Sequence, residues 1–194
     1  MFHRTLPVCL AALALAALTA VPAQAEKATY EIDAGHSAVV FSVNHLGFGT
    51  AWGRFNEMSG NFTHDSANPA ASTVNFTINA ESVDTAHAKR DQHLRSPDFF
   101  DVKQYPEITF KSTSVKPIAA GDLEITGDIT FHGVKKSITA RADLVGAGKD
   151  PWGNYRMGYD ITFTLQRSDF GVTYMEGGLG EDVKVHVSVE GVRK

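Results

Sequence analysis

Residues 123–144, LEITGDITFHGVKKSITARADL, decide the fold class because apolar residues alternate with polar ones on both sides of a tight turn. Successive side chains of a β-strand point to opposite faces, so this alternation places the apolar residues of each run on one face. The segment His132-Gly133-Val134-Lys135 between the runs is typical of a hairpin turn. The stretch therefore predicts two antiparallel strands with one apolar face and one wet face.

The same alternation recurs before and after this hairpin, with mostly polar residues in between. Glycine, proline, Asp and Asn separate the runs at 47–53, 65–69 and 146–153, where we expect turns or loops. About eight strands with this spacing predict an all-β sandwich or barrel. The alternating apolar positions outside the hairpin are Val39, Phe41 and Val43; Val74, Phe76 and Ile78; Ile108 and Phe110; Tyr155, Met157, Tyr159, Ile161, Phe163 and Leu165; and Val183, Val185, Val187 and Val189.

One segment departs from this pattern. Residues 86–96, AHAKRDQHLRS, contain helix-forming residues and no β-branched residue. Asp84 or Thr85 is placed to cap such a helix, and Pro97 is placed to end it. The sequence thus predicts one short helix in an otherwise all-β domain.

Composition and charge limit the classes of partner. The 194 residues include 18 Lys and Arg against 22 Asp and Glu, which gives a net charge of −4. Nucleic acid is not expected as the main partner, because binding to phosphates requires an excess of basic residues. The chain has one cysteine, which excludes a disulfide framework, a thiolate zinc site, an iron–sulfur cluster and c-type haem.

The first 25 residues resemble a secretory signal peptide. Arg4 supplies a positive charge, residues 6–20 form an apolar stretch too short to span a bilayer, and Ala23-Gln24-Ala25 fits a cleavage site. We expect cleavage to leave residues 26–194 as a single domain without a membrane span. Cleavage also removes Cys9, so a cysteine nucleophile is not expected in the mature chain.

Sequence motifs for catalysis and for cofactors are lacking. The histidines do not show the spacing of a metal site, and the chain has neither G-x-S-x-G nor G-x-G-x-x-G nor a P-loop. We therefore predict no catalytic residue, no metal ligand and no cofactor, and expect a protein that is not an enzyme. The Phe-rich strands leave two possibilities open, since the interior of an eight-stranded barrel holds either packed side chains or one small ligand.

Four stretches resemble sequence blocks of the YceI family. They occur in the family's order and nearly cover the mature chain, from Tyr30 to Val192. The stretches are IDAGHSAVVFSVNHLGFGTAWGRF (32–55), RDQHLRSPDFFDVKQYPEITFKS (90–112), ITGDITFHGVKKSITA (125–140) and DPWGNYRMGYDITFTLQRSDFGV (150–172). The chain also resembles the family's secreted bacterial members in its signal peptide, which implies a periplasmic location.

The resemblance implies an extended, eight-stranded, antiparallel, lipocalin-like barrel that holds a long-chain amphiphile. The expected ligand is a polyisoprenoid or a fatty-acid-like lipid, and this shifts the interpretation of the Phe-rich interior towards a lined cavity. From the alternation and from the residues after the helix, we predict that the lipid tail contacts Phe41, Val43, Phe76, Ile78, Leu94, Phe99, Phe100, Phe110, Ile125, Phe131, Tyr159 and Phe163. Residues 47–52, GFGTAW, are either a flexible entrance loop or a wide turn.

Polar residues in or beside the family blocks are candidates for contact with the lipid head group. They are His45, Arg90, Asp91, His93 and Arg167. For each of them the alternative is structural, as part of the ion pairs that hold the helix on the barrel rim.

Three hypotheses about function follow from the sequence. The leading one is a periplasmic carrier or buffer of a long-chain lipid. The second is an enzyme that acts on an isoprenoid or quinone-like substrate in the same cavity, and the third is a stress or interaction module whose barrel is filled by side chains. A homodimer is compatible with each of them, because a β-rich barrel can pack through edge strands or loops.

Overall fold

The computed structural model of the protein describes residues 27–119 and 121–194, so the predicted signal peptide lies outside the described residues. Within these ranges the chain forms eleven β-strand segments and one α-helix. The strands are β1 (Lys27–Ile32), β2 (Ala38–His45), β3 (Gly49–Phe55), β4 (Met58–Asp65), β5 (Thr73–Asn79), β6 (Val83–Asp84), β7 (Glu107–Ala119), β8 (Asp122–Phe131), β9 (Val134–Lys149), β10 (Tyr155–Gln166) and β11 (Leu179–Arg193); the helix is α1 (Ala88–Leu94).

The strand segments form one antiparallel sheet that closes into an eight-stranded barrel. Three strands of the barrel are interrupted and appear as two segments each, namely β1 with β2, β3 with β4, and β5 with β6. Each barrel strand pairs with its neighbours in chain order, and β11 closes the ring by pairing with both β1 and β2. The predicted all-β, eight-stranded antiparallel barrel with one short helix is confirmed.

The two ends of the barrel are built differently. The end that we call the helical end carries α1, the turn at 46–48, the turn at 132–133 and the loop 167–178. The end that we call the terminal end carries the start of β1, the end of β11 and the turns at 66–72 and 150–154. The position of a residue along its strand therefore decides which end of the barrel its side chain is near.

The turns confirm one expectation and correct two others. Residues His132 and Gly133 join β8 to β9 with φ values of 50° and 74°, as a two-residue hairpin with two left-handed residues requires. Of residues 47–52, only Gly47 and Phe48 lie in a turn, because β3 already begins at Gly49 and pairs with β2. Residues 146–149 likewise belong to β9, which leaves a turn at 150–154. In both places we expected loops because of glycines that in fact lie within strands.

Helix α1 spans Ala88–Leu94, which is shorter than the predicted range of 86–96. Its N-terminal cap is His87, whose Nδ1 accepts a hydrogen bond from the amide of Arg90 at 3.2 Å. The expected caps are engaged elsewhere, because Asp84 accepts from the amide of Ala86 and Thr85 donates to Asp91. Among the described residues, no helix is long and apolar enough to cross a membrane.

An arginine joins three acidic residues on the outside of the barrel. The guanidinium of Arg156 contacts Asp33 at 2.8 Å, Asp150 at 2.7 Å and also Glu190, so it links β10 to three separate parts of the chain. Asp33, Glu190 and His36 could together supply metal ligands, but Arg156 lies against both carboxylates. We therefore interpret the group as an ion-pair network.

Acid is expected to weaken this network. Hydrogen bonds from Arg156 lower the pKa of Asp33 and of Asp150 from the ordinary 3.8 to about 2. Because both pKa values lie below the unfolded value, the stabilisation is present above about pH 4 and is lost as the pH falls towards about 2. We expect the free energy of unfolding, measured by chemical denaturation, to fall across this range more steeply in the natural protein than in Arg156→Met.

Lys116→Met supplies the control, since it removes an exposed ion pair with Glu124 and should leave the acid dependence unchanged. Equal acid dependence in the natural protein and Arg156→Met would contradict the view that Arg156 lowers the pKa of Asp33 and Asp150.

Candidate functional site

The barrel encloses a cavity of about 220 Å³. A single buried water needs only about 10–15 Å³, so this space is much larger than a packing defect. Its wall includes residues from both ends of the barrel, from Arg167 and Leu179 at the helical end to His64 and Ser72 at the terminal end. The cavity therefore runs along the barrel axis.

The structure brings the twelve predicted tail residues together. Nine are on strands, Leu94 ends α1, and the other two follow it. Each of the twelve lines the cavity: Phe41, Val43, Phe76, Ile78, Leu94, Phe99, Phe100, Phe110, Ile125, Phe131, Tyr159 and Phe163. Their placement follows from the two-residue period of the strands. Contact of these residues with a ligand stays a prediction.

Several side chains face the cavity without being fully buried. Phe163, Val183 and Val185 at the helical end and Val74 near the terminal end line the cavity yet are only half-buried. Other inward-facing side chains, such as Tyr30 and Phe62, are buried and packed in one core cluster. A filled barrel would bury both groups alike, so the barrel holds open space beside its packed core.

Aromatic rings cover the helical end of the cavity. The ring of Phe100 lies 5.6 Å from the rings of Phe55 and Phe131 and 6.4 Å from that of Phe41. The ring of Phe131 lies 5.4 Å from that of Phe170. Such edge and tilted contacts are the geometry that aromatic rings prefer. The helix and the turn after it therefore cover the cavity with an apolar layer.

Two glycines give these rings room against the barrel wall. A Cβ atom on Gly53 would lie 2.3 Å from the ring of Phe41, and one on Gly127 would lie 2.4 Å from the ring of Phe110. Real Cβ contacts are not that short, so each ring occupies the space that a neighbouring side chain would need. The rings can thus lie against the neighbouring strand and leave the centre of the barrel unoccupied.

Arg167 is the one head-group candidate that lines the cavity. Its side chain is 3% exposed. Nε donates to the carbonyl of Gly180, Nη1 to those of Val172 and Tyr174, and Nη2 to that of Leu179, at 2.7–3.1 Å. Nη2 also contacts Glu181 at 3.2 Å. Four of the five N–H groups of the guanidinium therefore donate to backbone carbonyls, and the ion pair adds a fifth contact.

The other four head-group candidates lie outside the cavity wall. Arg90 donates to the hydroxyl and the carbonyl of Thr85, and Asp91 accepts from the amide and the hydroxyl of the same residue. His93 contacts Asp98 at 2.8 Å, and His45 is exposed at the end of β2. These contacts fit the structural alternative, in which the side chains hold the segment around α1. Head-group binding by them stays a prediction.

Several residues that line the cavity were not among the predicted tail residues. The inward-facing valines of β11 show the same alternation that led to the tail predictions, so this signal could have found them. Polar residues near the terminal end, including His64, lack such a signal.

Burial changes the pKa of two residues that line the cavity. It lowers the pKa of His64, which favours the neutral imidazole, and it raises the pKa of Tyr159 to about 12.

Comparison with known proteins places the chain among proteins of one family. The YceI-like domain matches residues 30–191. A UPF0312 protein of Pseudomonas aeruginosa is 47% identical over 188 residues, which cover 95% of this chain and 97% of that protein.

Two solved structures share the fold. BcnA of Burkholderia cenocepacia has a TM-score of 0.75 at 22% identity, covering 82% of this chain and 98% of its own. A polyisoprenoid binding domain from Saccharophagus degradans, implicated in plant cell wall breakdown, has a TM-score of 0.65 at 17% identity, covering 85% and 98%. The match over nearly the whole barrel and the close relative together show that this chain belongs to the YceI-like domain family.

Proposed function

We propose that this protein binds a long-chain amphiphilic lipid, either a polyisoprenoid or a fatty-acid-like molecule, with the apolar chain inside the barrel. The observation that carries the proposal is the cavity of about 220 Å³ with a wall of aliphatic and aromatic side chains. Ligand sites in proteins combine such walls with a few polar groups. The shape, which follows the barrel axis, suits a chain better than a compact molecule.

The physical drive for binding is removal of the chain from water. Leaving a methylene group in water costs about 0.8 kcal/mol, so a chain of ten carbons gains on the order of 8 kcal/mol from a dry site before ordering costs. The half-buried side chains of Phe163, Val183 and Val185 would gain burial in the same step. Burial of the lipid chain and burial of these side chains both favour a bound lipid over an empty cavity.

We propose binding rather than catalysis, and carriage or buffering in the periplasm as the role. Two polar wall residues, Arg167 and Ser72, already bond to backbone groups, which leaves them less able to act on a substrate. The periplasmic location rests on the sequence of residues 1–25 alone. The name of the Saccharophagus degradans relative agrees with a polyisoprenoid ligand, although the likeness at 17% identity supports only the shared fold.

The test is mass spectrometry of the exported protein. The full precursor is expressed so that it is exported, the mature chain is purified without detergent, and native spectra are compared with denaturing spectra. We expect an added mass that is released on denaturation and that identifies the lipid. A protein that neither carries a lipid nor takes one up from solution would rule the proposal out.

A further inference from the structure

Five apolar side chains are exposed together at the helical end. Phe48 at the tip of the β2–β3 turn is 93% exposed and Trp52 on β3 is 62% exposed. Leu46 lies in the same turn, and Tyr174 and Met175 lie in the loop before β11. We call these five residues the apolar tip. Soluble proteins rarely expose large apolar patches unless these contact a partner.

The turn and the loop are held together as one surface. The amide of Leu46 donates to the carbonyl of Gly178 at 2.8 Å. A Cβ atom on Gly178 would lie 3.2 Å from the side chain of Leu46 and 3.3 Å from that of Met175, so these two side chains flank the same glycine. The apolar tip therefore has a defined arrangement.

The apolar tip is continuous with the wall of the cavity. The ring of Tyr174 lies 5.2 Å from that of Phe99, which lines the cavity. Arg167 binds the carbonyls of Tyr174 and Leu179, and Leu179 also lines the cavity. The tip is thus next to one end of the cavity.

The lack of charged residues in the tip limits the kind of partner that it can bind. Residues 45–53 and 171–175 contain no Asp, Glu, Lys or Arg, while Glu176 follows directly and lines a surface pocket together with Leu46 and Gly47. Entry of these segments into an apolar phase therefore requires no charge to leave water, which would be costly. Trp and Phe beside polar backbone are the residue types that membrane-water interfaces favour. An uncharged aromatic tip fits a lipid bilayer better than a charged protein surface.

We propose that the apolar tip docks this protein on the surface of a lipid bilayer, with Phe48 and Trp52 inserted between the lipid head groups. The inference rests on the proposed function, because a lipid cargo resides in a membrane and its tail must cross little water on its way to the cavity. Docking brings the helical end of the cavity to the surface that supplies the cargo.

The two tryptophans of the chain allow a direct test. Trp52 belongs to the tip, whereas Trp152 is 80% exposed in the turn at 150–154 on the terminal end. The variant Trp152→Phe retains only Trp52, and Trp52→Phe retains only Trp152. Phosphatidylcholine vesicles that carry bromine on their acyl chains should quench the fluorescence of Trp52 and shift its emission to the blue. They should leave Trp152 unchanged.

Phe48→Ser, made in the Trp152→Phe protein, removes the most exposed ring of the tip. We expect it to weaken vesicle binding about tenfold or more, because a buried phenylalanine contributes roughly 1.5–3 kcal/mol. Residue 48 lies outside the cavity wall, so loading with lipid from a detergent micelle should remain the same. Binding should also persist in high salt, because the tip is uncharged.

Three outcomes would overturn the proposal. They are equal quenching of the two tryptophans, no quenching of either, and a self-associated protein whose association Phe48→Ser abolishes, which would assign the tip to a second copy of the chain. Mass spectrometry of the same samples measures lipid occupancy independently. Loss of vesicle binding with a loaded cavity therefore refutes docking alone, whereas an empty cavity under all conditions refutes the proposed function.

Discussion

The substitution Val185→Trp is expected to reduce the lipid that co-purifies with the exported protein about tenfold or more. Val185 lies on β11 with Phe41 and Phe163 directly opposite on the two neighbouring strands, and all three side chains face the cavity. An indole at this position would fill space that a bound chain needs. Excluding two methylene groups removes about 1.6 kcal/mol at ~0.8 kcal/mol each, which corresponds to more than tenfold in affinity.

The same substitution should leave the barrel folded. Adding atoms to a well-packed core usually costs about 1–3 kcal/mol, because side chains and backbone must shift. Val185 is only half-buried although it faces inward, so the added ring enters existing empty space. Circular dichroism and the midpoint of thermal unfolding of Val185→Trp should therefore remain close to those of the natural protein.

Lys184→Trp is the matched control, since residue 184 is the next residue on the same strand and points outward. It adds the same indole without entering the cavity, so lipid occupancy measured by mass spectrometry should stay unchanged. Equal occupancy in Val185→Trp and in the natural protein would mean that the lipid does not occupy this part of the barrel.

The strand residues that line the cavity were predictable because one physical rule decides which way they face. In a strand with one apolar face, the side-chain period of two fixes which residues face the interior, and a single correct residue sets the register for the rest. Phe76 and Ile78 on β5 and Phe163 on β10 were assigned in this way, and all three line the cavity. The sequence pattern alone did not decide whether the interior is open, because it does not report how far opposite strands stand apart.

The polar groups were harder to predict because their partners are distant in the chain. Arg156 contacts Asp33, 123 residues away, and Arg167 holds carbonyls that are 5 to 13 residues further along the chain. A charged residue shows no periodic signal that separates a binding role from a structural one. The apolar tip was not predicted either. The glycines at 47 and 49 indicated an irregular loop, whereas a strand begins at Gly49.

Arg167→Met is expected to lower the free energy of unfolding by about 3–5 kcal/mol, the usual range when one partner is removed from a buried charged network. The guanidinium is 3% exposed and bonds to four backbone carbonyls and Glu181. Methionine fills similar space but donates no hydrogen bond, so the buried carbonyl of Val172 and the part-buried carbonyls of Tyr174, Leu179 and Gly180 would lose this donor. Chemical denaturation measures the change.

Arg141→Met provides the control, because Arg141 pairs with Asp122 and Asp143 while its own side chain is 59% exposed. Little change is expected there, since exposed ion pairs contribute little to stability. Arg167→Lys covers the case in which the methionine variant does not fold. An ammonium donates at most three hydrogen bonds, so this variant should be intermediate in stability between the natural protein and Arg167→Met.

The lysine variant also separates the two roles considered for Arg167. If the guanidinium holds the loop, then Val172 and Leu179, which line the cavity and whose carbonyls it binds, become less firmly placed in Arg167→Lys. Stability should then fall and the release of bound lipid should accelerate together. If the guanidinium instead binds the head group, lipid affinity should fall while the stability of the lipid-free protein stays the same. Because the guanidinium already donates four hydrogen bonds to the backbone and pairs with Glu181, we expect the first result.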